Sequence, residues 1–235
     1  MQAAGTVNSV LQPHLLEKAV ACGLRSLFVG FETTSMSNLR GQRKVQNLGY
    51  DYNDAVQRLH DVGVMVNGSF VFGMDDDDTV FSRTVEWAIL QGIETATFHI
   101  LTPYPGTALH SRMRAQGRVL HGNWDLYDTR HAVFQPKQLT PARLEAGYWQ
   151  AYKDFYRWGS IVRGASAKYT WSGQLRHIAY AAGWKKFEPL WDFIIRLRRV
   201  TTLLPLLETI LSEFGMRRPH NKPTKQQTWR LGDAT

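Results

Sequence analysis

The 235-residue chain is 43% hydrophobic and 20% charged, which allows a sizeable core and excludes wholesale disorder. Its net charge of +8 is uneven: residues 1–140 hold 12 Lys/Arg against 13 Asp/Glu and residues 141–235 hold 16 against 7, a neutral front and a basic back third. Cys22 alone excludes an internal disulfide framework and any cysteine-built zinc or iron–sulfur site in this chain. The N-terminus does not read as a secretory signal, and the apolar run Val200 to Leu211 is about half a membrane span, so a cytoplasmic location is expected.

Ala3 to Val10 can supply a first strand. Pro13 suits the first turn of a helix whose apolar face is Leu15, Leu16, Ala19 and Val20, and Gly23 suits its end. Cys22 on this helix reads as buried filler. Leu27 to Phe31 is a short apolar run typical of a strand buried on both faces, followed by a polar loop from Glu32 to Gly49. A helix over 52–62, with Ala55, Val56 and Leu59 inward, stops at Gly63, and a second buried strand runs from Val64 to Gly73. Asp78 can cap a helix that turns Val80, Phe81, Thr84, Val85, Ala88 and Ile89 inward and ends at Gly92. A strand over 95–101, a Pro-Gly turn and a short helix to Gly117 complete the alternation.

Strand, loop and helix alternating in this way predict a parallel α/β array. About four strands are too few to close an eight-stranded barrel, so they form an open sheet or a piece of a larger one. After Trp124 the pattern becomes helical, with Leu144, Tyr148, Ala151, Phe155 and Trp158 at helical spacing after the start signal Thr140-Pro141. From Gln174 to Phe214 two or three further helices are expected, interrupted near Gly183 and Pro205. The division predicted is a sheet region over 1–122, a helical extension over 123–215 and a loose polar tail over 216–235.

Ligands of parallel α/β arrays bind at the carboxyl ends of the strands, where loops and helix N-termini converge. Those ends carry Asn8, Glu32, the stretch from Ser69 to Gly73 and the stretch from His99 to Thr102. Glu32 directly follows Gly30-Phe31, so a carboxylate is aimed from a strand tip.

Four segments occur here in order: LFVGFETTSMSNLRGQRKVQN, GVMVNGSFVFGMDDDD, FHILTPYPGTALHSRM, and GRVLHGNWDLYD followed by VFQPKQLTP. Together they resemble the C-terminal part of radical S-adenosylmethionine enzymes of the kind that carry a cobalamin-binding domain. The resemblance covers roughly residues 3–158. It implies a partial, incomplete parallel βα barrel of radical SAM type followed by an α-helical extension. It also implies an S-adenosylmethionine site in which Glu32 meets the ribose or methionine part and Lys44, with Arg43 beside it, pairs with the carboxylate. Asn8 and Ser69 would be polar contacts, and Leu101 would begin a loop passing the adenine.

The chain departs from that family in lacking the CxxxCxxC motif for a 4Fe-4S cluster, the glycine-rich turn for the cofactor's amino group and a cobalamin module. The reading is therefore a C-terminal fragment of a radical SAM enzyme, inactive alone and completed by a separate polypeptide carrying the N-terminal half of the barrel. Its substrate would be a small molecule of unassigned identity. The alternative is a non-catalytic α/β-helical module that binds an anionic partner through its basic third. A third reading is an inactive remnant with an exposed sheet edge.

Asp75 to Asp78 read as helix-start carboxylates favoured by the helix dipole rather than as a metal site. His99, His110, His121 and His131 share no metal-binding spacing, and of these His99 stands at a strand end with a substrate-side role open to it. The aromatic and basic residues of 148–199 read as core and solvated surface, with nucleic acid disfavoured and peripheral membrane contact left open.

Overall fold

The computed structural model describes residues 1–32 and 51–196, with the backbone alone beyond Lys186; Lys44 and Arg43 lie outside the described residues. The chain divides into two compact units, Met1–Lys186 and Phe187–Thr235.

The first unit is α/β. Its elements are β1 (Gln2–Thr6), α1 (Val7–Val10), α2 (Pro13–Ala21), β2 (Ser26–Glu32), α3 (Tyr52–Asp61), β3 (Met65–Phe72), α4 (Val80–Leu90), β4 (Thr95–Ile100), α5 (Ala108–Ala115), α6 (Pro141–Phe155), α7 (Trp158–Ser166) and α8 (Trp171–Arg196), which runs past the unit boundary. The four strands are parallel and lie in the order β1-β2-β3-β4.

Alternation along each strand separates two unlike faces. One is aromatic: Phe31 stacks on Phe70 at 5.6 Å, Phe70 on Phe98 at 5.7 Å and Phe98 on Phe72 at 5.5 Å. Tyr52 of α3 and Trp87 of α4 meet Phe31 edge-on, and Tyr152 and Phe155 of α6 meet Phe98 in the same way, so this is the helix-covered side. The opposite face carries Gly30, Asn67, Ser69, Thr97 and His99, which are small or polar.

The outer edge of β4 is closed by side chains. Tyr156 Oη accepts from Ala96 N–H at 3.0 Å and donates to Ala96 C=O at 2.9 Å; Tyr152 Oη does the same for Phe98 at 3.1 and 3.3 Å. Ile100 N–H donates to Thr129 C=O at 2.7 Å. These bonds occupy the backbone groups that a further strand would use, and a radical SAM barrel is not what the four strands display.

Several local expectations change. The first strand ends at Thr6, whose hydroxyl and Ser9 form a capping box that starts α1. Thr79 rather than Asp78 holds the N-cap position of α4, without a side-chain cap bond, and Asp78 instead pairs with Arg143 at 2.5 Å. Cys22 is exposed at the end of α2, where the backbone has already turned off the apolar face. Trp158 begins a new helix and is exposed, and α8 runs unbroken through Gly183. Thr140 caps α6 as its sequence predicts, accepting from Arg143 N–H at 3.1 Å.

Candidate functional site

The carboxyl ends of β2 and β4 are built from unusual backbone. Between Gly30 and Glu32 the β2–β3 register shifts, and Tyr52 Oη donates to Phe31 C=O at 2.9 Å beside the irregularity. Glu32 itself has φ +65°, a left-handed conformation that costs a non-glycine residue roughly 1–2 kcal/mol. Its Oε1 folds back over Gly30, 3.5 Å from where a Cβ would stand, so the absent side chain makes room for the carboxylate.

On β4, His99 is half-buried and its Nδ1 lies 3.3 Å from Thr129 Oγ1. Thr129 also has φ +65°, a rarer condition for a β-branched residue than for glutamate. Burial lowers the pKa of His99; the Glu32 carboxylate opposes this and Arg130 reinforces it, so the ring is neutral near pH 7. Ser69 and Asn67 of β3 are buried on the same face, and Asn67 Oδ1 has no hydrogen-bond partner. Leu101 is half-buried, with its N–H held by Phe72 C=O at 2.9 Å, and buried Thr102 donates to Ile100 C=O at 3.0 Å.

Glu32, Ser69 and His99 therefore share one sheet face, with Leu101 next along the chain at the end of β4. Asn8 is exposed on α1, two residues past the end of β1. Thr129, Arg130 and Asn67 were absent from the sequence reading. A left-handed threonine has no compositional signal, while Asn67 sits in a strand at a position whose face could have been counted.

The Asp75–Asp78 run is structural. Asp75 accepts from Lys137 at 2.6 Å and Arg118 at 3.4 Å; Asp76 accepts from the N–H groups of Gly73 and Met74, both at 3.1 Å. Asp77 is bonded by the hydroxyl and the N–H of Thr79, which lower its pKa. Among the described residues no group of three His, Cys, Asp or Glu side chains is placed to hold a metal ion.

A second polar group lies at the opposite ends of the strands. Buried Glu94, just before β4, accepts from Lys168 at 2.6 Å and from Val66 N–H at 2.9 Å, with His60 3.5 Å away. Burial raises its pKa, but the His60 and Lys168 partners outweigh that and hold the carboxyl at about 2.

No family model matches the chain. It is 31% identical over 164 residues to bacteriochlorophyllide d C-12(1)-methyltransferase of Chlorobaculum tepidum, covering 69% of this chain and 36% of that protein. It is 24% identical over 160 residues to bacteriochlorophyllide d C-8(2)-methyltransferase of the same organism, covering 67% of this chain and 35% of the relative. Hopanoid C-2 methylase of Rhodopseudomonas palustris is 26% identical over 117 residues, 49% of this chain and 22% of that protein. The chain spans about a third of the length of the two bacteriochlorophyllide methyltransferases.

These names correct the family expectation. The relatives are named for methyl transfer, so the radical SAM assignment, with its 4Fe-4S cluster and cobalamin, gives way to likeness to methyltransferases. The non-catalytic alternative gains nothing from them. The described parts of the four resembling segments include strands, strand ends and turns. Such segments report a parallel α/β frame and its ligand end, without reporting how a reaction there is driven.

Proposed function

We propose that the chain supplies part of the cofactor and catalytic site of an S-adenosylmethionine-dependent methyltransferase acting on a small-molecule acceptor. The reading is carried by Glu32 and His99 standing on one polar sheet face at the carboxyl ends of the strands. It is supported by likeness to proteins named as methyltransferases.

The residues present fit the cofactor in part. Glu32 can accept hydrogen bonds from ribose hydroxyls or an ammonium group, and the orphaned Asn67 Oδ1 lacks a donor. Ser69 and Asn8 are further polar partners, Leu101 offers apolar surface to an adenine, and Lys44 is the cation proposed for the methionine carboxylate. S-adenosylmethionine supplies an electrophilic methyl group on a sulfonium. His99, neutral and fixed through Nδ1 by Thr129, is placed to take a proton from the acceptor at Nε2.

The strands wound in chain order support reading the sheet as an arc of a larger βα assembly. β4 is closed by tyrosines, while among the described residues β1 is a sheet edge. We assign to β1 the addition of parallel strands from the rest of a longer protein or from a separate polypeptide.

Transfer of labelled methyl from S-adenosylmethionine, assayed with the completing polypeptide present, tests the proposal. Glu32→Gln should raise KM for the cofactor about tenfold, the loss of one charge-assisted bond. His99→Gln should lower kcat and leave the cofactor KM alone. Unchanged kinetics in both variants would defeat the assignment.

A further inference from the structure

We propose that α7 and the described part of α8 form a docking face for an anionic lipid bilayer. Residues 157–186 contain six Lys/Arg and no Asp or Glu, a composition suited to a negatively charged surface. Two of the cations are committed elsewhere: Arg163 pairs with Glu86, and Lys168 is buried against Glu94. Arg157, Arg176 and Lys186 are exposed and have no carboxylate partner among the described residues.

The same helices hold large apolar side chains outward. Trp158 and Val162 lie one turn apart on α7, at 54% and 55% exposure; Trp171 and Leu175 lie one turn apart on α8, at 73% and 51%. Tyr169, in the link between them, is 87% exposed. Ile161, Gly164 and Ala165 of α7 and His177 and Ala181 of α8 point the other way, into the packed interior. Lys185 lies 5.3 Å over the Trp158 ring and donates to Tyr156 C=O, so it braces that indole in an outward position.

Indole and phenol rings interleaved with unpaired cations match the headgroup boundary of a bilayer, where one end of each ring is apolar and the other wet. The aliphatic Val162 and Leu175 favour lipid over nucleic acid, because neither can stack on a base. No described helix is long and apolar enough to cross a membrane, so the contact is peripheral.

Sedimentation with phosphatidylcholine vesicles, with and without phosphatidylglycerol, tests this on the whole chain. Binding should require phosphatidylglycerol, weaken with salt, and fall at least roughly tenfold in the Arg176→Glu/Lys186→Glu variant. In the Trp158→Ser/Trp171→Ser variant both the binding and the blue shift of tryptophan fluorescence should diminish. All four positions are exposed, and circular dichroism confirms that each variant is folded. Equal binding to both vesicle types, or wild-type vesicle binding in both variants, would overturn the proposal. So would retention on duplex DNA without vesicle binding, or a dimer in solution that the same substitutions dissociate.

Discussion

The Tyr152 hydroxyl stands where a neighbouring strand would stand, accepting the N–H of Phe98 at 3.1 Å and donating to its C=O at 3.3 Å. Tyr156 repeats the arrangement at Ala96, one turn of α6 further on, because residues four apart share a helix face and Ala96 and Phe98 share a strand edge. Tyr156→Phe leaves a buried N–H and C=O unpaired and should cost about 1–3 kcal/mol in denaturant unfolding. Tyr152→Phe, at a half-buried position, should cost less. Equal stability of Tyr156→Phe and wild type would show that water replaces the hydroxyl.

Gly147 on α6 packs flat against Phe81, where an added Cβ would come within 2.3 Å of the ring. Gly147→Ala should therefore destabilise by roughly 1–3 kcal/mol despite the better helix propensity of alanine. Gly159→Ala on α7 meets nothing within 4 Å and should stabilise by up to about 1 kcal/mol. Thermal unfolding of the pair separates the two effects, and shifts of the same sign would contradict the packing argument.

Acid should unfold the first unit early. Burial pushes the pKa of His177 down to about 4, so as pH falls below 6.5 the unfolded chain takes up a proton that the native chain refuses, and stability drops until about pH 4. That depression is worth roughly 3 kcal/mol at most. Glu94, held at about 2, adds a second loss as pH falls from 4.5 towards 2. The urea midpoint followed from pH 7.5 to 4 should fall in wild type and fall less in His177→Asn. Parallel slopes would remove His177 from the account.

Much of this was legible in the sequence, for physical reasons that differ by element. The inward set of α4, Val80, Phe81, Thr84, Val85, Ala88 and Ile89, is buried as its spacing predicts, since burial of one face determines helical periodicity. Thr140-Pro141 marks its helix because cap and first-turn chemistry is local. Glu32 could be singled out because strand ends of parallel sheets are where ligands bind, although its left-handed backbone could not. What escaped was non-local. The Glu94–Lys168 pair joins residues far apart in sequence, and Thr129 reaches His99 across 30 positions. The fate of Asp78 depended on Arg143, on an element packed beside it.

The central claim is that Glu32 belongs to a cofactor site at the carboxyl ends of the strands. Equilibrium dialysis with labelled S-adenosylmethionine, comparing wild type, Glu32→Ala and the distant Gly159→Ala, tests it directly. The account predicts saturable binding in wild type and Gly159→Ala, weakened at least roughly tenfold in Glu32→Ala. Saturable binding of equal strength in all three would contradict it, as would no binding to a folded wild-type chain.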